Sequence, residues 1–169
     1  AGAQKNLGIA GLTILIIKNK LLSDCNKELL PMFDYSAHAE EASMLNTSPV
    51  FSWYVSGLIF DWITEQGGVG MMGKVNMEKS SLLYNYIDES SFYSNPVSKP
   101  YRSWMNIPFI LARDDLENDF IQSAEDEGLF NLKGHRTVGG MRASVYNAMP
   151  IEGIKKLIAF MDDFAKLHE

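Results

Sequence analysis

The continuous β-branched run Leu12 to Ile17 (LTILII) constrains the fold of this chain most strongly. A short run that is apolar on both faces is typical of a strand covered on both sides, as in the parallel sheets of α/β proteins. The apolar stretch that begins at Ile9 stops at Lys18 and is too short to span a bilayer. We therefore expect an α/β protein in which this strand follows a loop with two glycines, Gln4 to Gly11.

A helix is predicted from about Pro49 to Gln66. Three capping residue types precede the proline, and Gly67-Gly68 supplies the end. The helix is expected to bury an apolar face formed by Phe51, Val55, Leu58, Ile59 and Trp62.

The segment Gly68 to Gly73 (GVGMMG) matches the dinucleotide fingerprint GxGxxG. That fingerprint requires a preceding strand, whereas this segment follows a predicted helix. We therefore interpret it as a flexible break between helices. A domain boundary is expected there, which divides the chain into residues 1–73 and 74–169.

The chain after Gly73 alternates helices and strands, which predicts an α+β unit with helices on one face of a small sheet. The proline of the first strand places that strand at an edge or a bulge. The expected helices are Lys74–Ile87, Leu116–Glu127 and Ile151–Leu167, and the expected strands are Ser103–Leu111 and Met141–Tyr146.

The composition excludes several functional classes. The 169 residues are 46% hydrophobic, enough to bury a core in one domain or two small ones. A net charge of −6 argues against nucleic acid and anionic membrane surfaces, because both attract broad positive surfaces. The single cysteine, Cys25, excludes an intrachain disulfide, fits a reducing compartment such as the cytoplasm, and is expected to be at least half buried. Without a CxxC motif or a His–Glu pair at helical spacing, we expect no metal site.

A basic cluster lies within Lys133–Pro150 of this acidic chain, where three glycines accompany His135, Arg136 and Arg142. Glycine allows a loop to fold tightly, and arginine binds carboxylates and phosphates through two donors at once. The alternation of Met141–Tyr146 sets Arg142 on the face opposite the core. The cluster therefore suggests a site for a small dianionic substrate, with a turn carrying solvated charges as the alternative.

Two further positions could contribute chemistry. Lys5, in the loop before the predicted strand, is a candidate Schiff-base nucleophile if its surroundings lower the pKa of its amine, and otherwise an ordinary surface lysine. Asn46 and Thr47 are helix caps in the simplest interpretation, although a helix N-terminus with free N–H groups is also a phosphate site.

Three segments become specific in combination: AGAQKN with AGLT at Ala1–Thr13, SMLNTSPVFSWY at Ser43–Tyr54, and KGHRTVGGMRASVYNAMP at Lys133–Pro150. Together they resemble the phosphoserine aminotransferase family, which are pyridoxal-phosphate (PLP) enzymes of fold type I, class V. The likeness runs from Ala1 to the C-terminus in the same order. It implies the C-terminal part of a PLP-dependent transferase large domain, residues 1–73, followed by a small α+β domain with an antiparallel sheet, residues 74–169.

The resemblance also implies roles for individual residues. Lys5 matches the lysine that forms the Schiff base with PLP, and Gln4 matches a ligand of the cofactor phosphate. Asn46 and Thr47 match a pair that binds the PLP phosphate from the neighbouring subunit of a homodimer. Arg142 would hold the substrate α-carboxylate.

His135 and Arg136 match residues that meet the phosphate of phosphoserine, or the side-chain carboxylate of glutamate, across the dimer interface. The implied reaction converts glutamate and 3-phosphohydroxypyruvate to 2-oxoglutarate and 3-phosphoserine in a ping-pong cycle. It belongs to serine biosynthesis, and a role in pyridoxine biosynthesis stays open.

The chain departs from the family pattern in two ways. Ile9 and Ser48 stand where prolines are usual, and the resemblance covers only the C-terminal half of the family's length. The residues that stack on the pyridine ring and pair with its nitrogen belong to the other half. We therefore expect a fragment that has little or no activity alone and needs an N-terminal half.

Two alternatives remain open from the sequence. One is another class-V aminotransferase that acts on alanine, serine or glyoxylate, for which the His135–Arg136 pair would have no phosphate to bind. The other is an inactive fragment whose basic loop binds an anion.

Overall fold

The computed structural model describes residues 1–23, 29–137 and 139–168. Cys25, whose burial was predicted from the sequence, lies outside these ranges. The chain divides into two compact units, Ala1–Glu65 and Gln66–Glu169, and each is considered by itself below.

The first unit combines an irregular N-terminal segment with short helices and one long helix. The polar stretch that precedes the long helix contains short helical turns. The elements are α1 (Asn19–Ser23), a 3₁₀ turn (Pro31–Phe33), α2 (Tyr35–Glu40) and α3 (Val50–Glu65).

The predicted strand from Leu12 to Ile17 is wrong. A single antiparallel bridge pairs Gly2 with Thr13, and the rest of the run makes no ladder. Ile16 is 98% exposed. The physical reason is that a strand requires a neighbour along its length, and within the described part of this unit only the first three residues run beside it.

The long helix α3 confirms the predicted helix, but its buried face differs from the prediction. Ser52 and Ser56 are buried, whereas Phe51 is 70% and Leu58 is 51% exposed. Within this unit α3 packs against the backbone of the N-terminal loop, and only small side chains fit at that distance. The predicted apolar face is therefore wrong for this contact.

The segment Gly68–Gly73 forms the first turns of α4 (Gly68–Glu89), so the prediction of a flexible break over these residues is wrong. Gly67 adopts a φ of 93°, and this left-handed residue ends one helix and precedes the next. The break is thus confined to a single turn.

The second unit is built on a three-stranded antiparallel sheet. Its order is β1 (Tyr93–Ser94), β2 (Asn106–Leu111) and β3 (Met141–Ser144). One sheet face packs against α4, α5 (Glu117–Asp126) and α6 (Ile151–His168), which confirms the predicted α+β arrangement. The core formed between them includes Leu83, Ile107, Phe109, Phe120, Met141, Ala143, Ile154, Leu157 and Met161.

Pro108 lies in the middle strand, so its predicted edge position is wrong. It faces Arg142 on β3, and the Arg142 N–H donates to Leu132 O at 2.7 Å rather than to β2. The Pro108 nitrogen therefore points toward β1, which pairs only with Ile110 and Leu111. Because β1 is too short to reach Pro108, the missing N–H interrupts no ladder hydrogen bond.

Candidate active site

The predicted nucleophile Lys5 occupies a tight and strained loop of the first unit. Its φ is 93°, a left-handed conformation that costs a non-glycine residue about 1–3 kcal/mol. The Lys5 N–H donates to Gly8 O at 3.0 Å, and the Leu7 N–H donates to Ala3 O at 3.2 Å. Gln4 forms a single bridge with Gly8. Gln4 and Lys5 are exposed above a fully buried Ala3, so the loop presents both side chains outward.

Asn46 and Thr47 lie just ahead of α3 and are exposed. The Trp53 N–H donates to Pro49 O at 3.0 Å, which is the first turn of the helix. The N–H groups of residues 50–52 have no intrahelical acceptor because they belong to that turn. The Asn46 amide donates to Thr47 O at 3.4 Å instead of capping the helix. These N–H groups and polar side chains form a donor set that suits a phosphate.

The predicted dianion loop is closed by hydrogen bonds in the second unit. The Gly134 N–H donates to Gly140 O at 2.8 Å, and the Gly139 N–H donates to His135 O at 2.9 Å. A Cβ atom at Gly134 would lie 2.2 Å from Gly139 O, so the closure requires glycine there. His135 and Arg136 are exposed on this loop.

The ring of His135 is oriented by Thr137. His135 Nδ1 accepts from the Thr137 N–H at 3.3 Å and lies 2.7 Å from Thr137 Oγ1. A nitrogen that accepts from a backbone N–H carries no proton, so in the neutral ring the proton is assigned to Nε2. This tautomer directs an N–H donor outward from the loop.

Arg142 lies on the sheet face opposite the core, as the alternation predicted. It is half buried, and its Nε is buried without a hydrogen-bond partner among the described residues. On the same face, Ser144 Oγ and Tyr146 Oη lie 3.3 and 3.1 Å from Asn106 Oδ1. A buried guanidinium donor without an acceptor is unfavourable, and an anion or a water molecule would satisfy it.

Lys79, which the sequence did not single out, holds the segment after β3. It is fully buried, and its ammonium donates to Tyr146 O at 2.8 Å and to Met149 O at 2.9 Å. Burial lowers the pKa of Lys79 below its usual value. Beside it, the Asn76 amide donates to Asn147 Oδ1 at 2.7 Å.

The structure thus brings the predicted residues together in two groups. Gln4 and Lys5 share a loop that contacts the helix preceded by Asn46 and Thr47, and the three basic residues share a loop and the strand that follows it. Sequence reasoning missed Ser52, Ser56 and Lys79. Two serines four residues apart in the mostly apolar first part of α3 were the signal for the first two.

The described ranges hold neither a cluster of metal-binding side chains nor a membrane-spanning helix. No group of three or more His, Cys, Asp or Glu side chains there could hold a metal ion. None of the helices there has the length and apolar character needed to cross a membrane.

Comparison with known proteins places the chain in a family. The sequence model described as aminotransferase class-V matches residues 1–157. The chain belongs to the class-V aminotransferase family. The predicted resemblance is confirmed at this level.

Similar proteins carry a more specific description. The chain is 56% identical over 166 residues to the phosphoserine aminotransferase of Acinetobacter baumannii strain ACICU, which covers 98% of this chain and 46% of that protein. The chain therefore spans about half the length of the curated relatives it matches.

Solved structures agree. A phosphoserine aminotransferase from Bacillus circulans subsp. alkalophilus matches with a TM-score of 0.96 and 42% identity, over 99% of this chain and 47% of that one. A phosphoserine aminotransferase from Trichomonas vaginalis, described as PLP bound, matches with a TM-score of 0.89 and 36% identity, over 95% of this chain and 46% of that one. These likenesses confirm the predicted fold class.

Proposed function

We propose that this chain forms part of a PLP-dependent phosphoserine aminotransferase, which exchanges an amino group between glutamate and 3-phosphohydroxypyruvate in serine biosynthesis. The observation that carries the proposal is Arg142, whose buried Nε has no acceptor among the described residues, while His135 and Arg136 are exposed on the adjoining loop. These three residues provide donors for a substrate with two anionic ends. The 56% identity to a phosphoserine aminotransferase supports the same assignment.

The described residues fit PLP. Lys5 would hold the cofactor covalently and Gln4 would contact its phosphate, because both are exposed on one loop. Asn46 and Thr47 precede the first-turn N–H groups of α3, which have no intrahelical acceptor and suit the same phosphate in a neighbouring subunit. When bound, PLP supplies a sink for the electron pair left at the substrate Cα.

The protein residues contribute binding and proton transfer. Arg142 binds the α-carboxylate through charge-assisted hydrogen bonds and so orients the substrate. His135 and Arg136 bind the distal phosphate, or the side-chain carboxylate when glutamate is the substrate. The Lys5 amine would accept and move the proton at the substrate Cα.

We also propose the setting in which these residues act. Residues 1–73 form the C-terminal portion of the large PLP-binding domain, and residues 74–169 form the small domain. The protein works as a homodimer with shared active sites in the cytoplasm, and its substrates are phosphoserine, glutamate and their keto acids. The part of the relatives that this chain does not span completes the site.

A hybrid protein tests the proposal. It joins the part of the Acinetobacter relative that this chain does not span to residues 1–169, ahead of Ala1. We expect it to transaminate 3-phosphoserine with 2-oxoglutarate, and we expect the chain alone to show little or no turnover. Because truncating one partner of a buried charged contact costs about 2–3 kcal/mol, Arg142→Ala should lower kcat/KM about 10²-fold.

Substrate preference distinguishes the proposal from another class-V activity. Arg136→Ala should lower kcat/KM for phosphoserine about 10-fold or more and leave any alanine turnover within about 2-fold, since alanine has no distal anion. Arg113→Ala is the matched control, because Arg113 is an exposed arginine paired with Asp115. Equal losses on both substrates would favour an alanine or serine aminotransferase, and a hybrid that binds phosphoserine without turnover would favour a binding function.

A further inference from the structure

The loop that carries Lys5 is fastened to α3 by two serines. Ser52 and Ser56 are the residues of α3 that are buried, at 7% and 2% exposure. Ser52 Oγ donates to Ala10 O at 2.9 Å. Four residues further along the helix, on the same face, Ser56 Oγ is buried without a hydrogen-bond partner among the described residues. Ser56 therefore contributes through its shape rather than through a hydrogen bond.

The contact is too close for larger side chains. A Cβ atom built on Gly8 would lie 2.4 Å from Ser56 Oγ, and one built on Gly11 would lie 2.9 Å from Ser52 Oγ. Each glycine thus faces one serine, so the helix fixes the loop at two points. These distances explain why α3 packs through its serines rather than through its apolar residues.

Gly8 transmits this contact to Lys5. The Lys5 N–H donates to Gly8 O at 3.0 Å, and Gly8 bridges to Gln4. Lys5 has a φ of 93°, which a lysine keeps only when the surrounding structure determines it. The contacts of Ser56 with Gly8 and of Ser52 with Ala10 and Gly11 both hold the loop backbone to which the Lys5 N–H donates.

We propose that Ser52 and Ser56 are positioning residues that hold Lys5 in its left-handed conformation and thereby set the direction of its amine. The proposal rests on the proposed function, since it concerns the lysine that would carry PLP. It adds two residues that act through the loop backbone and do not touch the cofactor themselves.

The chain offers a steric test with an internal rescue. In the hybrid protein, Gly8→Ala should displace the loop because the new methyl group collides with Ser56 Oγ. In the double variant Gly8→Ala/Ser56→Ala, the same methyl group would meet Ser56 Cβ at 3.5 Å and Ala3 Cβ at 3.6 Å, which are ordinary contacts. Gly8 has a φ of 158°, so the backbone strain of an alanine there remains in both variants and only the collision is relieved. Ser52→Ala removes the hydrogen bond to Ala10 without adding atoms. Gly57→Ala is the control, because a methyl group at that position of α3 meets no described atom within 4 Å.

Two readouts follow Lys5 directly. The first is trace acetylation of the apo protein, in which peptide mass mapping gives the rate at Lys5 relative to that at the exposed Lys18. The second is the amount of PLP fixed on Lys5 by borohydride at subsaturating cofactor. We expect Gly8→Ala and Ser52→Ala to change the acetylation ratio at least 3-fold and to lower trapping at least 5-fold. The double variant should recover about half or more of the trapping that Gly8→Ala loses, with the rest lost to the backbone strain at residue 8, and Gly57→Ala should match the wild type.

The outcomes separate the two claims. If the wild type fixes no PLP on Lys5, the proposed function fails, while the acetylation ratio still tests the positioning of Lys5. If the wild type fixes PLP there and the variants match it in both readouts, the proposed function stands and the positioning role is wrong. Should Gly8→Ala fail to fold, Ser52→Ala decides, because it only removes a hydroxyl group.

Discussion

The ammonium group of Lys79 lies 2.8 Å from the carbonyl oxygen of Tyr146. This contact joins α4 to the segment between β3 and α6. Strand β3 carries Arg142. Lys79 is fully buried and also donates to Met149 O, so a single side chain fixes both ends of that segment.

Lys79→Met should therefore destabilise the protein. Methionine reaches as far as the lysine Cε but lacks Nζ, so the carbonyls of Tyr146 and Met149 lose their donor, which costs about 1–3 kcal/mol. Urea unfolding of the chain measures this, with Lys74→Met as the control at an exposed position of the same helix. Equal unfolding midpoints for the two variants would show that the buried ammonium contributes no net stability.

Stability in acid should depend on Asp88. Arg102 donates two hydrogen bonds to this carboxylate, at 2.8 and 2.7 Å, and Lys99 forms an ion pair with it at 3.1 Å. Arg102 first, and Lys99 with it, lower the pKa of Asp88 from 3.8 to about 2. A lowered pKa in the folded state means that the stabilisation is complete above the unfolded value and is lost as the pH falls from about 4 toward 2. The difference in unfolding free energy between wild type and Asp88→Asn should shrink over that range.

Glu125→Gln is the control for the acid experiment, because Glu125 is an exposed carboxylate in the same unit. Its difference from the wild type should vary less across the same pH range. A constant difference for Asp88→Asn between pH 5 and pH 2 would contradict the assigned role of the Arg102 pair.

The basic loop should need Gly134 in order to close. Gly134→Ala places a methyl group 2.2 Å from Gly139 O, so it should open the basic loop and weaken phosphoserine binding by the hybrid, seen as a higher KM. An unchanged KM for Gly134→Ala would mean that the closed loop is not needed for binding.

Gly70→Ala should instead stabilise the protein. Gly70 lies in α4, where a methyl group meets no described atom within 4 Å, and the change should stabilise the helix by about 0.5–1 kcal/mol.

The structure of the second unit agreed closely with the prediction from its sequence, because its core is formed between neighbouring segments of the chain. The alternation at Met141–Tyr146 and the helical spacing of Ile154, Leu157 and Met161 each point to one buried face, and the structure buries those faces. The predicted edge position of Pro108 was wrong because a proline removes only one backbone N–H donor. Whether that loss interrupts the sheet depends on how far β1 extends, which the proline itself does not indicate.

The first unit was harder to predict for a physical reason. The LTILII run predicts a strand buried on both faces. Such burial requires neighbouring strands, about which the run itself contains no information. In α3, hydrophobic periodicity marked Phe51 and Leu58 as buried. The buried residues are instead Ser52 and Ser56, because the neighbouring loop faces them with glycines that have no side chain. Periodicity ranks side chains by polarity and contains no information on how closely a backbone approaches.

The residues of the candidate site also fall into those that the sequence could predict and those that it could not. Lys5, Arg136 and Arg142 could be named because their residue types carry recognisable chemistry within distinctive motifs. Residues that act by supporting others have no such chemistry. Ser52 and Lys79 became visible only through their contacts with Ala10 and Tyr146.

The central claim is that Lys5 is the lysine that carries PLP. Its most direct test is borohydride reduction of the hybrid protein with one equivalent of PLP, followed by peptide mass mapping, with Lys5→Ala and Lys18→Ala measured in parallel. We predict one cofactor per chain, fixed on Lys5, lost in Lys5→Ala and retained in Lys18→Ala. Labelling spread over several lysines, or retained in Lys5→Ala, would contradict the claim.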